Sequence, residues 1–123
     1  MRTGEIALDR SDSEFPVLVI SGEHDLNTAS DVGARLEELL AAGEPVIVDL
    51  SPATFVDSSI LGVVLDARRR AEEAGVGFAV AQSNGAEAVT RVLEITGLLE
   101  ELPVHGSRDA AGAAIARAGE RSP

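Results

Sequence analysis

Val48-Asp49-Leu50-Ser51-Pro52-Ala53-Thr54-Phe55-Val56-Asp57-Ser58-Ser59-Ile60-Leu61-Gly62-Val63-Val64-Leu65 is the stretch on which the fold turns. It opens as part of a continuous apolar run, breaks at Ser51-Pro52, and from Ile60 onward carries apolar residues at helical spacing. A buried strand therefore leaves into a tight loop and re-enters as a helix. Ile60, Val64, Ala67, Ala71 and Ala74 fall on one face, and Gly75 follows where a left-handed closing residue is usual. The spacing predicts a helix over Ser58 to Ala74, starting at the carboxyl rim of a sheet. Asp57 or Ser58 is its N-cap, whose side-chain oxygen takes a hydrogen bond from an early helical amide for about 1 kcal/mol.

Outward from this segment, Val17-Leu18-Val19-Ile20, Val46-Ile47-Val48 and Phe78-Ala79-Val80 are short apolar runs of the kind found in strands buried on both faces. Ile6 and Leu8 alternate with polar neighbours, as in a half-buried edge strand that pairs antiparallel. Ala29, Val32, Leu36, Leu39 and Leu40 form a second helical stripe, stopped by Gly43. A third helix is expected over Ala86, Val89, Leu93 and Thr96, opened by Asn84 with Glu87 three positions on, and closed by Gly97. A weaker, alanine-rich fourth runs from about Ser107 to Ala118, and 119–123 reads as a frayed end. Strands alternating with helices give an α/β fold: a mainly parallel sheet of four to five strands, an antiparallel edge strand, and about four helices. One domain over 1–123 is expected, with its core from about 5 to 118. Binding surfaces of such sheets gather at the carboxyl ends of the parallel strands, here Glu23 to Asp25, Ser51 to Ser58, and Gln82 to Asn84.

Composition narrows the function. The 123 residues are 45% hydrophobic but only 2% aromatic, so the interior must be Val, Leu, Ile and Ala. A formal charge of -11, with all ten basic residues arginine, argues against a grip on nucleic acid. The absence of cysteine excludes disulfides, thiolate metal sites and cysteine nucleophiles. The opening Met1-Arg2-Thr3-Gly4-Glu5 lacks a signal-peptide pattern, and no apolar run approaches the roughly 18 to 20 residues that span a bilayer. A cytoplasmic protein with no membrane contact is the expectation.

A serine hydroxyl at a helix N-terminus on the binding rim suits a phosphate, whose charge would face free amides and the positive end of the dipole. Asp57 beside it works the other way, by repulsion. The pattern D-L-S-x-x-x-F-V-D-S-S-x-L-G-V-V over residues 49–64 resembles the signature of STAS domains of the bacterial anti-sigma factor antagonist family. Ser21-Gly22-Glu23-His24-Asp25-Leu26-Asn27-Thr28-Ala29 is similar to that family's G-E-x-D-x-x-T-A segment, and Val92-Leu93-Glu94-Ile95-Thr96-Gly97-Leu98 to its L-x-x-x-G-L segment. The resemblance covers about residues 5–118.

It implies an antagonist that binds an anti-sigma factor serine kinase and so frees a sigma factor. It also implies that phosphorylation of Ser58 ends the interaction and that a serine phosphatase restores it. ATP would be bound by the kinase, with no cofactor, metal or catalytic residue in this chain. Partner contacts are expected from Asp25, Asp57, Ser58, Ser59 and Ile60. Family members commonly carry glycine at the position of Ile60, so its side chain either extends the buried face of the helix or stands on the rim and alters how closely a kinase approaches. The alternative reading is a STAS-type scaffold in another signalling assembly, not phosphorylated. A small hydrolase using Ser58 with His24 as base is a further rival. It lacks a G-x-S-x-G elbow, and a loop histidine is more often a surface residue. Asp25, Asp49 and Asp57 form no recognisable metal-ligand loop. Arg68-Arg69-Arg70 fans over about 200° of a helix and reads as a solvated, salt-bridged face. The oligomeric state is left open.

Overall fold

The three apolar runs form the middle of one sheet in the computed structural model, which describes residues 4–11, 14–83, 102 and 104–121. In chain order the elements are β1 (Glu5–Asp9), β2 (Val17–His24), α1 (Leu26–Ala41), β3 (Val46–Asp49), β4 (Ala53–Val56), α2 (Ser58–Ala74), β5 (Phe78–Ala81), β6 (Val104–His105) and α3 (Arg108–Arg121). Among the described residues the sheet has six strands in the order β1-β2-β3-β5-β6, with β4 added beside β2. β1 runs antiparallel to β2 and every other pair is parallel. The expected α/β architecture and antiparallel edge are present.

The expected count of four to five strands is too low because 53–56 is a strand rather than part of a loop. β2 is longer than its apolar run, and its second half pairs with β4. Pairing with β3 ends at Val19, and from Gly22, where φ is +80°, β2 pairs with β4, with a register shift between Gly22 and Glu23. The Gly22 amide donates to the Pro52 carbonyl at 3.1 Å, and Glu23 and His24 then pair with Phe55 and Val56. A left-handed φ is cheap only for glycine, so this residue accommodates the irregularity in the β2–β4 pairing.

Side chains alternate along the central strands into two layers. Leu18, Ile20, Val46, Val48 and Val80 pack under α1 and α2 with Val32, Leu36, Ile60, Leu61 and Val64. Val17, Ile47, Ala79 and Ala81 pack on the other face against Ala111 and Ile115 of α3. The α1 stripe is buried as its spacing predicts, and Leu40 is half-buried. On α2 the stripe is wider than expected, taking in Leu61 and Leu65, whereas Ala74 is exposed. Gly75 closes α2 at φ +71°. The last helix continues through Gly119 to Arg121, past the expected end, since a helix-stopping proline comes only at Pro123. The helix expected between Asn84 and Gly97 lies outside the described residues. Among the described residues no helix is long and apolar enough to cross a membrane.

A polar network fastens α3 across the sheet. Asp49, 4% exposed at the end of β3, accepts from Arg108 Nε at 2.7 Å and from the Ser51 amide at 2.9 Å. Arg108 Nη1 also reaches Asp9 at 3.1 Å. Hydrogen bonds to the Asp49 carboxylate raise the pKa of the guanidinium. The Asp9 carboxyl is held below its ordinary value by hydrogen bonds from Ser11 and then from Arg108.

Replacing Arg108 by alanine strands the buried Asp49 carboxylate. It should cost about 2 kcal/mol, less than a fully buried pair because the arginine is partly solvated. Arg10→Ala removes the exposed bidentate pair with Glu44, which water screens, and should cost less. Urea melts of the two variants check the ranking. Glu44 is likewise held low, by its hydrogen bonds from Arg10. Because Asp9 and Glu44 bind protons less readily folded than unfolded, their contribution is fully present above about pH 4.5 and fades as pH falls through their lowered values. Melts between pH 6 and 3 should show that acid-side loss, and a smaller one in Arg108→Ala, where Asp9 lacks one of the bonds that lower it.

Candidate functional site

The pairing of His24 with Val56 brings two helix starts to the same rim. Asp25 follows His24 and Asp57 follows Val56, and each residue is the extended N-cap of the next helix. Asp25 accepts from the Asn27 amide at 2.9 Å, and its own amide donates to Thr28 Oγ1 at 3.2 Å, completing a capping box. Asp57 Oδ1 accepts from the amides of both Ser59, at 3.0 Å, and Ile60, at 3.2 Å. The structure thus assigns the α2 cap to Asp57 rather than Ser58.

Ser58 is the first helical residue and its side chain is exposed. Asp25, Asp57 and Ser59 are partly buried on the same rim. The expectation that a phosphate on Ser58 would face free amides needs correction, since Asp57 already takes those of Ser59 and Ile60. Ile60 also needs correction as a contact residue. It is 0% exposed in the core beneath α1 and α2, so its side chain supports the rim from below.

His24 is not a surface loop residue but the buried last residue of β2, 1% exposed. Its Nδ1 lies 3.0 Å from Thr28 Oγ1, and its Nε2 lies 2.9 Å from the Ser21 carbonyl and 3.3 Å from that of Glu5. Both ring nitrogens are engaged in holding the start of β1 and the α1 cap, which removes the base from the hydrolase reading. A Cβ at Gly4 would run into this imidazole and the Glu23 carbonyl. Asp49, the third candidate metal carboxylate, is spent on Arg108 and Ser51. Among the described residues no group of three His, Asp or Glu side chains is placed to hold a metal ion.

Two apolar residues of this rim escape sequence reasoning. Leu26, the first residue of α1, is 73% exposed, and Phe55 of β4 is 44% exposed. Leu26 sits three positions before Ala29, on what spacing alone makes the buried stripe, and Phe55 belongs to a strand without alternation. The turn after β3 is tied to the end of β5, where the Ser83 amide donates to Ser51 Oγ at 2.7 Å.

Burial of Ile60 fixes the outcome of restoring glycine there. Ile60→Gly opens a core cavity, at about 2 to 5 kcal/mol, and adds a helix-propensity cost near 1 kcal/mol. Ile60→Val should cost about 1 kcal/mol. Denaturant midpoints of both variants test whether the residue belongs to the core.

A sequence profile described as "Mlab, STAS domain" matches residues 7–104. An anti-sigma F factor antagonist of Paenibacillus polymyxa is 30% identical over 91 residues, covering 72% of this chain and 76% of that protein. Among solved structures, an anti-sigma factor antagonist from Mycobacterium paratuberculosis superposes with a TM-score of 0.79 at 24% identity, covering 93% of this chain and 95% of that one. The Bacillus cell fate determinant SpoIIAA in its phosphorylated form gives 0.64 at 22% identity, covering 92% and 98%. The profile match over most of the chain, the curated relative and the shared fold lead to one assignment: this chain belongs to the STAS domain family that includes the bacterial anti-sigma factor antagonists.

Proposed function

We propose that this protein is an anti-sigma factor antagonist that binds an anti-sigma factor serine kinase and is switched off by phosphorylation of Ser58. The observation that carries the reading is Ser58 itself, an exposed hydroxyl directly after a capping aspartate on the rim where two helices begin. The relative named as an antagonist supports the role. In this reading the kinase supplies ATP and the chain supplies the acceptor hydroxyl and the docking rim, formed by Asp25, Asp57, Ser58 and Ser59. Ile60 contributes by holding the helix start in place. A serine phosphatase restores the binding form, and the cycle runs in the cytoplasm.

The switch follows from charge. A phosphate adds about -1.5 to -2 at neutral pH, next to Asp57 and on a chain whose formal charge is already -11. An interface formed over Ser58 would have to desolvate that group beside a carboxylate, a loss of roughly a thousandfold in affinity.

Incubation with a cognate anti-sigma factor kinase and ATP, followed by intact-mass measurement and phosphopeptide mapping, should give one phosphate on Ser58 and none in Ser58→Ala. Calorimetry should show the kinase bound by the unmodified chain and by Ser58→Ala, weakly by Ser58→Asp, and not by the phosphorylated form. Modification at another residue, or equal affinity of the two forms, overturns the reading. Retained binding with no phosphate adduct would mark an unphosphorylated scaffold.

A further inference from the structure

We propose that Asp57 is a positioning residue that keeps a phosphate on Ser58 in water by occupying the amides which would otherwise capture it. The inference rests on the reading of Ser58 as the modified residue. A phosphoserine in the first turn of a helix ordinarily folds back onto the early N–H groups, gaining charge-assisted hydrogen bonds and stabilising the helix end. Here that position is filled. One oxygen, Asp57 Oδ1, accepts from both the Ser59 and the Ile60 amides, while the Leu61 amide goes to the Asp57 carbonyl at 3.3 Å.

Neither the engaged arginines of the same helix nor Arg108 supplies a substitute. Arg68, Arg69 and Arg70 follow on the same helix but stand about 15 to 18 Å along its axis from Ser58. Arg68 and Arg70 are engaged with Glu72 and Asp66. Arg108 is committed to Asp49 and Asp9. The neighbouring helix start presents Glu23 and Asp25, and both nitrogens of His24 are held by Thr28, Ser21 and Glu5. A phosphate on Ser58 therefore meets an occupied cap and a carboxylate on its own element, and further carboxylates on the adjoining one. It changes the charge of the surface without a new bond to the fold, and it stays open to the enzyme that removes it.

The test needs no kinase. Phosphoserine is installed at position 58 during translation, and the full-length protein is followed by 31P and 15N NMR between pH 5 and 8. In the wild-type background the phosphate should titrate near its ordinary value of about 6. The Ser59 and Ile60 amide signals should not follow that titration. Asp57→Asn keeps the accepting oxygen and removes only the charge, so those amides should remain indifferent. Asp57→Ala frees the amides, so their signals should track the phosphate and its second ionisation should fall by roughly half a pH unit. The thermal midpoint should then rise on phosphorylation in Asp57→Ala but not in wild type. Asp57→Gly, better tolerated at an N-cap, replaces the alanine variant if that variant does not fold. Amides that follow the phosphate in wild type overturn the proposal, as does an alanine or glycine variant indistinguishable from wild type. Failure of a kinase to modify Ser58 would instead count against the proposed function and leave these measurements intact.

Discussion

The rim depends on β2 serving two neighbours along one edge. Its first half hydrogen-bonds with β3 and its second half with β4, and a residue tolerant of left-handed backbone, Gly22, takes up the register shift in the second pairing. From that exchange follows the alignment of His24 with Val56, and from the alignment the side-by-side starts of α1 and α2. Were β2 to stop with its apolar run at Ile20, β4 would have no strand to pair with. The segment carrying Ser58 would then be an unsupported loop.

Both helices at that rim open on an aspartate, and this sets the local electrostatics. A carboxylate at an N-cap is stabilised by the free amides and the positive end of the dipole, so its charge is partly neutralised by the backbone it holds. The amides are correspondingly less available to any other anion. The caps thus serve folding and surface chemistry through the same hydrogen bonds, and an acidic residue sits beside the exposed Ser58 hydroxyl without disturbing the helix.

Local pattern carried much of the architecture. The runs at 17–20, 46–48 and 78–80, the α1 stripe, the α2 stripe as far as Ala71, and the closing glycines Gly43 and Gly75 stand where periodicity places them. What escaped it depends on partners distant in the chain. β4 buries Ala53 and Val56 while exposing Thr54 and Phe55, a pattern with no period of two. The polar end of β2 becomes strand only because β4 is there to pair with it. Arg108 and Asp49 lie 59 positions apart, so nothing near either residue announces their contact. At the site, capping statistics alone left Asp57 and Ser58 as equal candidates. The geometry separates them, one as the acceptor of two amides and the other as an exposed hydroxyl. The burial of Ile60 settles which face of the helix it belongs to, a matter its position beside the rim leaves ambiguous.

The exposed side chains of Leu26 and Phe55 also bear on how copies of this protein behave toward one another. At neutral pH a charge of -11 on so small a body sets copies repelling one another, which counters the pull of two apolar groups left in water. The sequence pI is about 4.4, and near that value the mutual repulsion vanishes while the apolar surface remains. The acidity of the chain therefore opposes contact between the apolar rims of two copies, and that opposition weakens as the charge is titrated away.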